Sequence, residues 1–132
     1  MNYLTKWFDD VHSRHSMSLS SSVTVSGVRD QHMGPRWEKA KIEVRAEPAA
    51  SFDVRFGPDI DQSDTTRMFL EAAVFGLLDI LLVSRTYPLR NVSITLTHCE
   101  IDPVDSSQMA FRQAGRDAGM KIINALGSAG RP

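Results

Sequence analysis

The segment that decides the fold of this chain is Val104–Gly115, which reads Val-Asp-Ser-Ser-Gln-Met-Ala-Phe-Arg-Gln-Ala-Gly. It follows a stretch in which apolar and polar residues alternate, and it opens a longer stretch whose apolar residues have helical spacing. Asp105 or Ser106 is suited to cap that helix, and Gln108 is placed to close a capping box on Asp105. The segment therefore predicts a junction between a strand and a long helix that Gly127 ends.

Four strands are predicted from the alternation of apolar and polar side chains. They cover residues 23–26, 42–46, 52–56 and 92–97. Gly27 is expected to allow a bend or a bulge after the first strand. One apolar face per strand is typical of an antiparallel sheet that is covered on one side only.

The longest apolar run, Met68–Val83, predicts a buried helix between the third and fourth strands. Three residues are suited to cap it: Asp61, Ser63 and Asp64. The run is shorter than the roughly 20 residues of a membrane span and contains Glu71 and Asp79, so no membrane partner is expected. With Arg67, these carboxylates define a narrow polar strip, and we expect the rest of the helix to be buried.

The order of these elements, βββαβα, predicts an α+β fold: a two-layer sandwich with a four-stranded sheet and two helices on one face. Small residues along the last helix would let a neighbouring element approach closely. They are Ala110, Ala114, Gly115, Ala118 and Gly119. One domain is expected over residues 23–127, preceded by a helix and a serine-rich linker in residues 1–22 and followed by a short tail, residues 128–132.

The first residues of the chain also show helical spacing. Five apolar side chains fall on one helical face: Tyr3, Leu4, Trp7, Phe8 and Val11. A helix of about three turns is marginal alone, so Trp7 and Phe8 are expected to dock, on the domain itself or on a partner. Residues 16–22 are dominated by serine and are interpreted as a linker or a loose loop.

Charge and motifs limit the possible functions. The net charge is −1 and the pI is about 6.4, so RNA contact would need a local basic patch. The single cysteine, Cys99, cannot form an intrachain disulfide, which favours the cytoplasm. Phosphate-binding glycine motifs do not occur, so we expect no GTP binding by this chain. No cofactor or metal is expected either, because His98-Cys99-Glu100 offers too few ligands and adjacent strand residues point to opposite faces.

The segment from Val104 to Phe111 resembles Val-Asp-Ser-Ser-Glu-Met-Ala-Phe, a motif of domain IV of translation elongation factor G. Phe75–Leu81 resembles the family's Lys-Gly-Leu-Val-Glu-Ala-Leu, and Tyr87-Pro88-Leu89 resembles its Gly-Tyr-Pro-Val. The likeness covers about residues 31–126. It implies the fold of that domain, including a left-handed βαβ crossover, which is an exception to the usual hand. At 132 residues the chain is too short for the factor's GTPase, so the resemblance implies a stand-alone relative.

In that family, the tip of the domain enters the decoding centre of the small ribosomal subunit and touches messenger and transfer RNA. The corresponding positions here are two predicted loops, residues 31–39 and 98–103. Of the family's Gly-Gly-x-Gly-Gln-Tyr-Gly, Gly34 is retained, and Asp102 aligns with the family's histidine. Glu100 and Asp102 add negative charge, which is unfavourable beside phosphates. The scaffold residues therefore match the family better than the tip residues do.

Cations beside an indole are the candidates for RNA contact, because they can neutralise phosphates and stack a base. The candidate residues are Arg29, His32, Arg36, Trp37, Lys39, Lys41 and His98. In the alternative interpretation, this is a solvated loop in which Trp37 packs onto the core, and Asp30 and Glu38 dilute the positive charge.

Three functions are therefore open. The first is a non-catalytic, translation-related module that binds ribosomal or other structured RNA through its tip. The second is a protein-interaction or homo-oligomeric module that kept only the scaffold. The third is a small enzyme with a pocket between the tip loops, containing His32, His98 and Glu100. We favour the first, because the resemblance is the functional signal that stands above background.

Overall fold

The computed structural model describes residues 17–83 and 88–130 of the chain. Its elements are β1 (Met17–Ser18), β2 (Val23–Met33), β3 (Arg36–Pro48), β4 (Asp53–Phe56), α1 (Asp64–Leu78) with a π-helical turn (Asp79–Val83), β5 (Leu89–Glu100) and α2 (Gln108–Gly130). Apart from the short β1, which was not predicted, this order confirms the predicted α+β sandwich. The predicted helix that contains Trp7 and Phe8 lies outside the described residues.

The main sheet has the spatial order β2-β3-β5-β4. β2 pairs antiparallel with β3, and β3 pairs antiparallel with β5, whereas β4 runs parallel to β5. The expectation of a fully antiparallel sheet is therefore wrong for the last pair. The reason is topological: α1 crosses over between β4 and β5, and such a crossover returns the chain in the same direction.

The serine-rich stretch before β2 is not simply a loose linker. Met17 and Ser18 form β1, which pairs in parallel with the beginning of β5. Leu19 is buried in the core, with 7% of its surface exposed. Residues 17–19 therefore contribute to the sheet and the core, and the division of the chain at residues 22 and 127 stays a prediction.

The two helices lie on one face of the sheet, with α2 against β2 and β3 and α1 beside α2. Gly27 permits this packing, because a Cβ atom on it would lie 2.1 Å from the carbonyl oxygen of Ala114 in α2. β2 has no bulge at Gly27, since the β2–β3 register runs through the Gly27–Ile42 pair without a shift. A small residue is required at this position by the approach of the helix.

Phe111, from the segment that decides the fold, lies at the centre of the core. It is fully buried, and its ring stacks on that of Phe69 in α1 with 5.0 Å between ring centroids. This contact joins the two helices above the sheet. The most specific sequence motif therefore supplies the side chain around which the layers assemble.

The N-terminal ends of both helices are fixed by serine. Ser63 caps α1 and accepts a hydrogen bond from the Thr66 N–H, as one of the three expected alternatives. α2 is capped by Ser107, whose Oγ accepts from the Ala110 N–H at 3.0 Å. The predicted cap at Asp105 or Ser106 and the capping box with Gln108 are therefore wrong. The Ser106 hydroxyl donates to the Lys39 carbonyl instead, and the Asp105 carbonyl accepts from the Lys39 N–H.

Two further expectations for the helices are wrong. α2 continues through Gly127 to Gly130, because the glycine penalty of about 1 kcal/mol does not end a helix unless the chain must also turn. α1 exposes more than a narrow polar strip to solvent, since Met68 is 41% exposed and Phe75 is 56% exposed. Asp79 is only partly exposed, with 25% of its side-chain surface accessible, and it accepts hydrogen bonds from Arg112 and Arg116 of α2.

Candidate functional site

The end of the sheet is formed by a β-hairpin, residues 30–39, which we call the tip hairpin. β2 runs to Met33 and β3 begins at Arg36, so the turn itself is Gly34-Pro35. Gly34 has φ of 63° and the proline ring fixes φ of the next residue, a combination that suits a type II′ hairpin turn. The predicted loop over residues 31–39 is therefore wrong, since these residues are paired strands up to a two-residue turn.

The candidate residues divide between the two faces of the tip hairpin, because side chains alternate along paired strands. Arg29 and Arg36 share the helix-side face with the buried residues Glu38 and Ala40. The other candidates of β2 and β3 lie on the open face of the sheet. They are His32, Trp37, Lys39 and Lys41. These candidates are close together in the sequence, but in the structure they form two groups, one on each face of the hairpin.

Trp37 is half-buried on the open face and is held by three neighbours. Its indole N–H donates to the Asp30 carboxylate. The His32 ring meets the indole edge-to-face with 3.8 Å between centroids, and the Lys39 Nζ lies 5.3 Å from the indole centroid. The alternative interpretation, in which Trp37 packs onto the core, is therefore wrong, because its side chain lies on the opposite side of the sheet.

The helix-side face carries one paired and one unpaired arginine. Arg29 donates from Nε to Glu38 Oε1 at 2.9 Å, and its Nη2 is equally close. Glu38 is 8% exposed, so this carboxylate is withdrawn from solvent and neutralised. Arg36 is exposed and forms no ion pair with another residue in the described ranges.

The segment between β5 and α2 is bonded to the tip hairpin through main-chain groups. The Lys39 N–H donates to the Asp105 carbonyl at 3.1 Å, and the Ser106 hydroxyl donates to the Lys39 carbonyl at 2.6 Å. The Asp102 carboxylate accepts from the N–H groups of Val104 and Asp105. Both parts of the predicted tip are thus held as one unit.

Asp102 organises this segment, and sequence reasoning missed its role. Hydrogen bonds from the backbone N–H groups of Asp105 and Val104 hold the pKa of Asp102 below its usual value. Its carboxylate therefore stays charged, but it is directed at the backbone of its own loop. The signal for this role was present in the sequence, since Asp followed by Pro103 favours the start of a turn.

A bulge in β5 places His98 on the open face. Glu43 lies opposite His98 and Val44 opposite Leu96, so Thr97 is the extra residue. The Thr97 hydroxyl bonds to Glu43, which fixes the bulge. As a result His98 is exposed, although simple alternation from the buried Leu96 would have turned it inward.

The other residues at the end of β5 do not form a reactive pair with His98. His98 Nε2 and Lys41 Nζ lie 3.9 and 4.0 Å from the Glu100 carboxylate. Cys99 faces the core on the other side of the strand, and burial raises the pKa of its thiol. A raised pKa disfavours the thiolate that nucleophilic chemistry requires.

A cavity of about 330 Å³ lies between the tip hairpin and the loop after β5. Its lining residues are Val28, Arg29, Asp30, Lys39, Ala40, Lys41, Glu100, Ile101, Asp102 and Pro103. Neither His32 nor His98 lines it, so it lacks both imidazoles on which the enzyme hypothesis rested. Over residues 17–83 and 88–130, no group of three or more His, Cys, Asp or Glu side chains is arranged to hold a metal ion. Within the same ranges no helix has the length and apolar character to cross a membrane.

Comparison with known proteins identifies the scaffold. The model of the family described as "Elongation factor G, domain IV" matches residues 18–125, which is most of the chain. The chain belongs to this domain IV family. The match extends from β1 into α2 and contains the tip hairpin, the π-helical turn and the segment that decides the fold.

Comparison with solved structures supports the same fold. The crystal structure of a protein from Thermus thermophilus superimposes with a TM-score of 0.67 and 20% sequence identity. The alignment covers 78% of this chain and 16% of the Thermus protein, so this chain spans about a sixth of that protein's length. No curated protein matches the sequence.

Proposed function

We propose that this domain IV chain is a non-catalytic, translation-related module that binds ribosomal or other structured RNA through the tip hairpin. The observation that carries the proposal is the arrangement of charge there. The acidic side chains of the hairpin are engaged internally, Glu38 by Arg29 and Asp30 by Trp37. Arg36 and Lys39 form no ion pair with a described residue, although the Asp102 carboxylate interacts electrostatically with Lys39, so these two cations are the groups offered to a polyanion.

The position of the two cations indicates the shape of RNA that they suit. Arg36 projects on the helix-side face of the hairpin and Lys39 on the open face. A narrow ribbon with one cation on each side suits a cleft with phosphates on both walls, as between the strands of folded RNA. It suits a flat platform for a single strand less well, because the Trp37 ring already contacts His32 and Lys39.

The remaining candidates have smaller roles in this proposal. Lys41 is near Glu100, and Arg29 is bonded to a buried carboxylate, so each has a competing negative charge. His32 and His98 are exposed, and their imidazoles offer hydrogen bonds to phosphate or base edges. The cytoplasm is the compartment in which such a module would meet the ribosome.

Co-sedimentation of the full chain with purified ribosomal subunits over a salt series tests the proposal. Wild type is compared with Arg36→Gln/Lys39→Gln and with a control, Arg45→Gln/Arg55→Gln, which removes the same charge from the open face away from the tip. We expect the tip variant to bind more weakly and to reduce the slope of log K against log salt by about 1 for each cation lost.

The control variant should bind nearly as wild type does, because its arginines lie far from the hairpin along β3 and β4. Two outcomes contradict the proposal. One is an absence of binding at the lowest salt concentration. The other is an equal effect of the tip and control variants, which would indicate attraction by overall charge rather than by the hairpin.

A further inference from the structure

A groove with an apolar floor lies between the outer surfaces of α1 and α2, on the side of the helices away from the sheet. Its floor is formed by Met68, Ala72 and Phe75 of α1 and by Met109 of α2. Glu71, Gln108 and Arg112 also line it, and its volume is about 280 Å³. We call these seven residues the helix groove.

Three large apolar side chains of the helix groove are exposed to solvent. Phe75 is 56% exposed, Met109 is 58% exposed and Met68 is 41% exposed. Large apolar side chains scattered singly on a surface need no explanation, whereas three that line one concave site offer another apolar surface a place to bind. Since methionine adapts its shape to irregular partners, the floor suits large aromatic side chains.

The first residues of the chain supply such side chains at the right spacing. Tyr3, Trp7 and Val11 recur every four residues, and Leu4 and Phe8 lie beside them on the same helical face. Amphipathic helices bind apolar grooves through anchors at this spacing. Because a helix of about three turns is marginal in water, the helix predicted for residues 3–11 would need such a surface to be stable.

The chain between this segment and the fold is long enough to reach the helix groove. β1 pairs with the beginning of β5, and the π-helical turn ends at Val83, just before β5, so both lie at the same end of the molecule. At 1.5 Å per residue, Phe75 and Met68 lie roughly 12 and 22 Å back along the α1 axis. Residues 12–16 span up to about 17 Å when extended, and a helix of residues 3–11 adds roughly 13 Å.

We propose that residues 3–11 form a helix that docks in the helix groove of the same molecule, with Trp7 and Phe8 against Met68, Phe75 and Met109. A short tether gives the segment an effective concentration of the order of millimolar, so the groove of its own chain fills before that of a second copy. The docked helix covers the apolar surface of the domain on the side opposite the sheet. This inference does not depend on the proposed RNA contact.

Methyl NMR of the full chain with labelled methionine tests the docking. Aromatic rings that stack on a methyl group move its proton signal upfield, so wild type is compared with Trp7→Leu/Phe8→Leu. Leucine keeps the segment apolar and helical but has no ring. We expect the Met68 and Met109 signals to move downfield in the variant. Met120, which is exposed on α2 outside the groove, should be unchanged and serves as the internal control.

A mixing experiment separates docking within one chain from docking between two. Labelled Trp7→Leu/Phe8→Leu protein is mixed with unlabelled wild type, and the Met68 and Met109 signals should stay at the variant positions. If they return to the wild-type positions, the occupant is a second copy and the proposal is overturned. It is equally overturned if the two signals coincide in wild type and variant, because the segment then does not occupy the groove.

Discussion

Gly115 lies where the two helices of the domain come closest together. A Cβ atom on Gly115 would lie 2.0 Å from the carbonyl oxygen of Ala73 in α1, and one on Gly76 would lie 2.1 Å from the carbonyl oxygen of Arg112 in α2. The absence of a side chain at each glycine thus leaves room for the backbone of the opposite helix. Neither glycine has the positive φ that would otherwise explain its presence. The helix layer can cover the sheet because these two positions have no side chain.

Substitution of Gly115 by alanine should therefore destabilise the protein. Alanine favours a helix by about 1 kcal/mol over glycine, but a contact of 2.0 Å with a backbone atom forces the helices apart. We expect a net loss of about 2–3 kcal/mol in the free energy of unfolding, as for other overpacked cores, measured by urea denaturation. Gly57→Ala is the matched control, because its Cβ would meet the Leu96 carbonyl at 3.3 Å. An equal loss in both variants would refute this account.

α2 is the element that connects most of the others. Its N-terminus is capped by Ser107, its middle contacts α1, and two of its polar side chains protect the outer edge of β2. Asp117 accepts from the Val28 N–H at 2.9 Å, and Lys121 donates to the Ser26 carbonyl at 2.6 Å. These bonds occupy backbone groups of an edge strand that would otherwise be free to pair with another chain.

The Ser107 cap can be tested directly. Ser107→Ala should lower the free energy of unfolding by about 1 kcal/mol, because the N–H of Ala110 loses its acceptor. Ser107→Asp should stay close to wild type, since a carboxylate accepts the same bond and suits the helix N-terminus. Thermal unfolding followed by circular dichroism measures both. If the two variants were destabilised equally, the serine would act through packing and not as a cap.

At the scale of the whole molecule, the helix layer is joined by an ion network whose strength depends on pH. Asp79 lies in the π-helical turn and accepts from Arg112 Nε at 3.0 Å and Nη2 at 3.1 Å, and from Arg116 Nε at 3.0 Å. Hydrogen bonds from Arg112, with a smaller contribution from Arg116, lower the pKa of Asp79. The folded state therefore holds this carboxylate in its charged form more strongly than the unfolded chain does.

This shift predicts a stability that falls in acid. Since the folded pKa lies below the unfolded value of about 3.9, the stabilisation is present above that pH and is lost as pH falls through the folded pKa. Asp79→Asn should lower the free energy of unfolding by about 1 kcal/mol at pH 7, and the difference from wild type should shrink as the pH falls below about 4. Urea denaturation at a series of pH values measures it. A difference that did not shrink as the pH was lowered below about 4 would contradict the role of the charge.

The local pattern of the sequence determined the elements and the layer to which each belongs. The alternation around Ile42 and Ile94 predicted strands with one buried face, and the apolar run from Met68 predicted the crossover helix. These predictions are confirmed because the spacing of apolar residues within a single helix or strand already shows which of its faces is buried. The resemblance of the Val104–Phe111 segment added the topology and the family, which the family match confirms.

Only the tertiary structure determined which residues contact one another. The tip candidates were found by composition, but their division between two faces depends on the pairing of residues 30–39 in a hairpin, which a retained Gly34 did not reveal. His98 is exposed because of a one-residue bulge at Thr97, and Ser107 became the cap because Asp105 and Ser106 bond to Lys39. In each case the local preferences were nearly equal among neighbouring residues, and long-range hydrogen bonds and packing chose among them.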